Sequence, residues 1–408
     1  MALTIKANRP DPAILTLPWS TPLEEWGEPY VVPLPRGLSR HVVRIVRLGS
    51  RIYAVKETVE TMALREYRML RDLQRLRLPT VIPQAVVSGR VDGDGNPLPA
   101  ALLTEHLRFS LPYRSLFAHG VTIEHIPQLV DAMVVLLVRL HLTGFYWGDV
   151  SLSNVLFRRD AGGFTAYLVD AETGELHAAL SPQMRANDVL VGCENIFGEL
   201  LDLEAMLGLE DGLGGEEIVA MLESRYLALW LELTGEEEFS DDEMWRIEQR
   251  IERLNDLGFD VAELDIVTDF DGDKVLIQPK VVELGHHQRE LQSLTGLYVE
   301  DGQARRLLND IASYTASRDL GREDRALVAN RWLLEIYDPL IAMVPPEARG
   351  KLEPAEVYHE VLVHRWYLSE RAGHEVDIFT AARDYIDHVL LTKPEEAITA
   401  DVTPEDPD

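Results

Sequence analysis

Asp149 is followed five residues later by Asn154, and a further acid, Asp170, closes the next apolar run. The first stretch reads Tyr146-Trp-Gly-Asp-Val-Ser-Leu-Ser-Asn-Val-Leu-Phe157 and is answered by Tyr167-Leu-Val-Asp-Ala-Glu172. An acid and an amide at the entrance of a hairpin, with another acid at its exit, suit phosphoryl transfer. One carboxylate, Asp149, positions an attacking hydroxyl and accepts its proton; an amide oxygen and a second carboxylate, Asn154 and Asp170, hold magnesium against nucleotide phosphates. Magnesium takes hard oxygen ligands and keeps several waters, so two protein ligands suffice. The blander alternative is the polar edge of a hairpin in an ordinary α/β domain, because short motifs recur by chance.

The elements around these residues are legible from periodicity. Val155–Phe157 and the run ending at Asp170 read as two strands, with Gly162 and Gly163 supplying the turn. Upstream, Val31–Leu34, His41–Arg47 and Arg51–Lys56 read as three successive antiparallel strands, after an irregular lead-in over residues 1–30. Val81–Val87 and Ala100–His106 bring this sheet to five. Between Lys56 and Val81 a helix runs from Glu57 to about Arg77, with Met62, Glu66, Leu70 and Leu73 on one face. An unpaired charge within an apolar face is costly, so Glu66 calls for a cation, and Lys56 is the nearest candidate. The alternative is a solvated Glu66 at the helix edge. Ile126–Leu142 is a buried helix ending at Gly144, and a further helix begins at Asp188 and runs through Leu201.

Composition bounds the class. The chain has 408 residues, enough for two or three domains, and 46% apolar with 26% charged residues is ordinary for a globular protein. A net charge of −30 argues against a general nucleic-acid binder, which needs a basic face. The single cysteine, Cys193, has no internal partner for a disulfide and reads as a small buried hydrophobe, which suggests a reducing, cytoplasmic setting. No apolar run reaches the roughly 18 residues of a membrane span, and no signal-peptide core stands at the N-terminus.

In this order the residues resemble the protein-kinase-like fold, in its compact bacterial branch of lipopolysaccharide-kinase-like and aminoglycoside-phosphotransferase-like proteins. The resemblance covers roughly residues 31–205. Val55-Lys56 resembles the third-strand lysine and Glu66 the glutamate of the following helix. Thr104-Glu-His-Leu107 resembles the hinge, so Glu105 and Leu107 are expected to meet adenine. Trp147-Gly-Asp149 with Asn154 resembles the His-Gly-Asp…Asn catalytic loop, and Val169-Asp-Ala-Glu172 the metal-binding segment. Asp188 resembles the aspartate that braces the catalytic loop. The resemblance implies ATP and magnesium as cofactors, and a nucleotide and a hydroxyl-bearing acceptor as partners. It also implies Lys56, Glu66 and Asp149 as the catalytic set.

The departures are specific. No Gly-x-Gly-x-x-Gly loop covers the phosphates; Arg36-Gly-Leu-Ser-Arg-His41 stands there, and Arg36, Arg40 and His41 are candidate phosphate contacts, against the alternative of a solvated turn. Trp147 replaces the usual histidine. No Ala-Pro-Glu follows Asp170, which favours a small-molecule or saccharide acceptor over regulated protein phosphorylation.

The whole arrangement, including a helical C-terminal extension, also resembles an uncharacterised bacterial family of lipopolysaccharide-kinase-like proteins known only as a domain of unknown function. Thr234–Glu243 is an acidic junction, and Ser240 with Glu243 forms a capping box for a helix whose core face is Met244, Ile247, Ile251 and Leu254. Leu264–Thr268 and Lys274–Gln278 flank Asp269–Asp273 as a hairpin; Lys280 stands where a calcium loop needs its bidentate Glu. His359 and His364 are five apart, not the four of a zinc helix, and Tyr358, Leu362 and Trp366 mark a packed face instead. Arg305-Arg306 and Arg331-Trp332 read as solvated surface, or else as an anion-binding or domain contact. The tail beyond Lys393 is acidic and proline-bearing, a disordered composition.

The expectation is therefore an α+β fold with two lobes, a five-stranded antiparallel N-lobe and a helical C-lobe, plus a mostly α accessory domain carrying a β-hairpin. The boundaries are 1–106, 107–238, 239–392 and a tail over 393–408. The activity is ATP-dependent phosphotransfer to a hydroxyl. The alternative is a catalytically inactive nucleotide-binding scaffold acting through the C-terminal domain. A nuclease or metal hydrolase reading lacks a second carboxylate pair.

Overall fold

The computed structural model of the chain describes residues 3–8, 11–32, 41–118, 125–207, 214–235, 237–239, 259–260, 263–268, 275–280 and 283–396. The chain divides into two compact units. The first takes the residues up to Arg158 and Ala166–Glu223; the second takes Arg159–Thr165 and the described residues from Ser224 onward. The fold is α+β, with a five-stranded antiparallel sheet followed by helices.

In the first unit, strands β1 (Thr4–Ala7), β2 (Val43–Leu48), β3 (Arg51–Thr58), β4 (Pro83–Ser88) and β5 (Ala100–Glu105) lie in the order β1-β4-β5-β3-β2. The expected strand at Val31–Leu34 is not one of them. Val31 makes only an isolated bridge to Val46, and residues 33–40 lie outside the described set. The fifth strand is instead β1, from the proline-rich lead-in, pairing with β4 through Thr4↔Ser88 to Ala7↔Ala85.

The rest of the lead-in is a plug. Ile14, Leu17, Trp19, Leu23 and Trp26 are buried against Val46, Tyr53 and Val55 of the sheet. Arg90, itself buried, pins it: Nε donates to the Trp19 carbonyl at 3.1 Å, Nη2 to the Thr21 carbonyl at 2.7 Å, and Nη1 pairs with Glu57 at 2.6 Å. A buried guanidinium is tolerable only when paired and hydrogen-bonded in this way.

Helix α1 (Glu60–Arg75) buries Ala63, Glu66, Tyr67, Leu70 and Leu73. After the short strand β6 (Ser110–Leu111) and helix α2 (Tyr113–Ala118), α3 (Ile126–Leu142) is apolar on nearly every side and sits in the interior. Gly144 then takes a φ of +82°, and a Cβ there would lie 2.1 Å from the His177 carbonyl oxygen, so only glycine turns the chain here.

Strands β7 (Phe145–Tyr146), β8 (Val155–Asp160) and β9 (Gly163–Leu168) follow, with β8 between β6 and β9; β10 (Glu175–Leu176) pairs with β7. The β8–β9 turn is made by Ala161 and Gly162, both at positive φ, rather than by Gly162 and Gly163. A two-residue primed turn needs both central residues left-handed, and that displaces it by one position. Helix α4 (Pro182–Leu207) starts earlier and runs longer than the expected Asp188–Leu201, and α5 (Gly215–Thr234) follows. Half-buried Cys193 on α4 has its thiol pushed up to about 11, chiefly by burial, as expected for an inert side chain.

The second unit contains the expected hairpin, β-strands Glu263–Thr268 and Val275–Lys280; its Asp269–Asp273 loop, the Ser240–Glu243 cap and the Met244–Leu254 segment lie outside the described residues. Helices α6 (His286–Thr295), α7 (Asp301–Ser317), α8 (Arg325–Trp332), α9 (Asp338–Ala342), α10 (Pro354–Ala372) and α11 (Ile378–His388) enclose an aromatic core. Trp332, Tyr337 and Tyr358 pack with ring centroids 5.3 to 5.7 Å apart, and Asp310 accepts from Trp332 Nε1 at 2.7 Å and from the Tyr358 hydroxyl at 2.5 Å.

Two surface assignments change. Trp332 is core, while its neighbour Arg331 pairs with Glu323 on the surface. Trp366, expected on the packed face with Tyr358 and Leu362, is 58% exposed. Eight residues along a helix rotate a side chain by about 80°, which carries Trp366 off the face. His359 and His364 do not converge: His364 Nε2 lies 2.7 Å from Asp384 Oδ2. Among the described residues no helix is long and apolar enough to cross a membrane.

Candidate active site

Lys56 leaves β3 and meets three carboxylates. Its Nζ lies 2.6 Å from Asp170 Oδ2, 3.1 Å from Glu66 Oε2 and 3.1 Å from Glu172 Oε2. Each partner is positioned by a different feature: Glu66 by the apolar face of α1, Asp170 by the end of β9, Glu172 by the turn that follows, where its amide donates to Asp170 Oδ1 at 3.0 Å. One ammonium against three carboxylates leaves an excess of negative charge. Burial alone would lower the Lys56 pKa, but Glu66 and Asp170 outweigh it and hold the ammonium firmly protonated. Glu66, almost fully buried, is pushed up to about 8 by that burial and then by the charge of Asp170, against the pull of Lys56.

The same carboxylates are chemically suited to a divalent cation. Oxygens of Glu66, Asp170 and Glu172 lie within 4.8 Å of one another, the one such group among the described residues. All are hard oxygen donors, and Asp170 and Glu172 are partly exposed, so the residues present fit magnesium. Asn154 is tied to this segment through its backbone: the Val169 amide donates to the Asn154 carbonyl at 3.0 Å, linking the residue before β8 to the residue before Asp170.

Asp149 sits in the loop after β7. The Asn154 Nδ2 donates to Asp149 Oδ2 at 3.2 Å and to its carbonyl at 3.0 Å. From α4, Asn195 Nδ2 donates to Asp149 Oδ1 at 3.3 Å and to the Val150 carbonyl at 3.0 Å. Below the loop, wholly buried Asp188 accepts the Trp147 and Gly148 amides, both at 2.7 Å, and faces His141 Nε2 at 3.1 Å. Glu199, another α4 carboxylate, accepts the Leu152 amide at 2.6 Å and the Ser153 amide at 2.9 Å. The loop therefore hangs on two acids of α4, about three turns apart. Gly192 between them approaches so closely that a Cβ would lie 2.8 Å from Val150 Cγ1. Trp147 is fully buried and its indole N–H has no hydrogen-bond partner among the described residues, so it serves the loop as volume only.

The structure thus brings Lys56, Glu66 and Asp170 together, and Asp149 with Asn154. Arg36 and Arg40 lie outside the described residues, while His41, from the same segment, reaches Glu172 Oε2 at 3.4 Å. At the expected hinge, the Glu105 amide donates to the Ile82 carbonyl at 2.8 Å and the His106 amide to the Ile52 carbonyl at 2.9 Å; Leu107 follows just beyond, its carbonyl accepting from Ser110 Oγ at 2.6 Å. Sequence reasoning missed Glu172 as a partner of Lys56. It also missed Asn195, Glu199 and Arg65, whose Nη2 donates to the Gly174 carbonyl at 3.1 Å and ties α1 to the segment after Asp170. The Asp-Ala-Glu spacing was the available signal for Glu172.

A sheet with a buried Lys–Glu pair, followed by a helical region holding an Asp…Asn loop and a further acid on the lysine, is the arrangement of a kinase-like domain. Residues 46–189 match the lipopolysaccharide kinase (Kdo/WaaP) family, and residues 228–390 match a domain of unknown function (DUF4032). The chain is thus similar over residues 46–189 to a kinase family, and over residues 228–390 to a domain without assigned function. Among solved structures, that of WaaP in complex with acyl carrier protein is similar with a TM-score of 0.34 and 16% identity, over 63% of this chain and 99% of that one. No curated protein matches the sequence.

Proposed function

We propose that the chain is an ATP-dependent phosphotransferase acting on a hydroxyl group. The observation that carries this reading is the Lys56 cluster: a β3 lysine bonded at once to a helix glutamate and to the acid that ends β9. Lys56, oriented by Glu66, would hold nucleotide phosphates. Asp149 would position the acceptor hydroxyl and take its proton, while Asn154 and Asp170 would hold magnesium, which when bound neutralises charge developing on the phosphates. Glu105 and Leu107 at the hinge would seat the adenine, and Arg36 and Arg40 would meet the phosphates from the glycine-poor loop. The short passage from Asp170 to α4 at Pro182 supports a small-molecule or saccharide acceptor, in line with the lipopolysaccharide acceptor in the name of the matching family.

One observation favours a second reading, nucleotide binding without turnover: both oxygens of Asp149 already accept from amides, of Asn195 and Asn154. The two readings separate in one experiment. A thermal-shift titration with ATP, with and without magnesium, is run on wild type, Asp170→Ala and Asp149→Ala, alongside phosphate release. A ligand at a hundred times its Kd adds about 2.7 kcal/mol, a readable shift. A magnesium-dependent shift lost in Asp170→Ala, with turnover lost in Asp149→Ala, is the kinase result. Binding without turnover in wild type gives the scaffold, and no binding in wild type removes both.

A further inference from the structure

The β8–β9 hairpin has two residents at its base, Asn154 just before β8 and Asp170 just after β9, and its tip belongs to the second compact unit. Within that unit the tip is held by a connected set of polar bonds centred on buried Gln303 and Glu356. Asp160 accepts from the amides of Gly302 at 3.1 Å and Gln303 at 2.7 Å, in the first turn of α7, and from Thr165 Oγ1 at 3.0 Å. Gln303 Nε2 donates to the Arg159 carbonyl and to Glu356 Oε2, both at 3.1 Å. The same Glu356 oxygen accepts the Ala161 amide at 2.9 Å, which holds a non-glycine residue at φ +51°. Arg159 Nε pairs with Glu396 at 2.8 Å.

A two-residue turn ordinarily points into water and needs no such support. Here Gln303 and Glu356 are almost wholly buried, and a Cβ on Gly302 would lie 2.7 Å from Asp160 Oδ1, an approach that only glycine allows. A buried polar network of this kind stabilises one geometry when every member is satisfied and is costly when one is removed. Held at its tip, a short hairpin transmits that geometry along its ladder to its base.

We propose that the C-terminal helical unit positions the metal-binding hairpin, its Glu356, Gln303 and first α7 turn setting the tip so that Asn154 and Asp170 stand in register for the cation. This gives a role to the segment of unassigned function. It rests on the phosphotransferase reading for what the hairpin base binds, but not for the coupling itself.

Two readouts test it in the full-length protein. The first is hydrogen exchange at the Val169 amide, which closes the hairpin base on Asn154. The second is the magnesium concentration for half-maximal ATP binding. Glu356→Ala should speed exchange at Val169 and raise the magnesium midpoint about 2- to 30-fold, the range for coupling through a packed network. Glu356→Gln keeps an acceptor for both bonds and should restore both values toward wild type. Gly302→Ala, a helix-favouring change, should reproduce the Glu356→Ala effects by driving a methyl into Asp160, and it carries the test if Glu356→Ala does not fold. Unchanged Val169 exchange in both variants overturns the proposal. So does faster exchange with an unmoved magnesium midpoint. If wild type shows no magnesium-dependent ATP binding, the phosphotransferase reading fails instead, and exchange alone decides the coupling.

Discussion

Lys56 Nζ and Asp170 Oδ2 lie 2.6 Å apart across 114 residues of chain, joining the small sheet to the segment that follows the β8–β9 hairpin. With Glu66 on the other side of the ammonium, this contact links the fold's stability to its candidate chemistry.

Removing the lysine exposes that link. Lys56→Met should destabilise the chain most strongly above about pH 8, where Glu66 is ionised, by up to about 3–5 kcal/mol, because it leaves Glu66 buried without its cation. Lys56→Met combined with Glu66→Leu should recover most of that stability, since an apolar pair of similar volume replaces a buried ion pair. Chemical denaturation measures both, and magnesium-dependent ATP binding should remain absent in each. Double-mutant stability no better than that of the single would contradict the pairing.

Asp188 should matter through backbone amides rather than through substrate. Asp188→Ala strands the buried Trp147 amide, at about 1–3 kcal/mol, and the partly buried Gly148 amide at less. Asp188→Asn keeps one acceptor oxygen and should lose about half as much in urea denaturation.

Gly192→Ala places a methyl 2.8 Å from Val150 Cγ1. Overpacking of this kind costs about 1–3 kcal/mol and should shift the Asp149 loop. Val150→Ala in the same chain should relieve the clash, giving a double variant more stable than Gly192→Ala alone in thermal melts.

A pH dependence follows from Glu356, which burial pushes up to about 7 while the Ala161 and Gln303 bonds pull it down. An acid whose folded pKa exceeds its unfolded value favours folding while protonated. Its contribution is therefore complete below about pH 4.5 and is lost as pH rises to about 7, a change of about 3 kcal/mol. Nearby Asp160, also raised by burial, adds a slope of the same sign. Urea denaturation at pH 5 and pH 8 should show wild type losing stability with rising pH, and Glu356→Gln losing less. Equal slopes would place the titration elsewhere.

Much of the site is legible in the residues alone. Glu66 stands out because helical periodicity puts an acid inside an apolar face, and the cost of an unpaired buried charge points to Lys56. The hairpin of Asn154 and Asp170 is legible because strands and turn residues signal locally, although the turn falls one residue earlier than its glycines suggest. The strand Thr4–Ala7 is hidden by its shortness and by the prolines after it.

Local interactions along the chain decide the strand and helix periods, the Asp149…Asn154…Asp170 spacing and the buried helix Ile126–Leu142. Tertiary structure alone decided which polar side chains are satisfied, and by what. Asn195 and Glu199 reach the Asp149 loop from 45 to 47 residues away, and Glu356 reaches Ala161 across 195. An Asp at a hairpin turn or a Glu on a helix looks solvated in sequence, because its burial depends on surfaces brought together only by the folded chain. The free energy of a polar group is set by that burial and its hydrogen-bond partners, and neither is encoded locally.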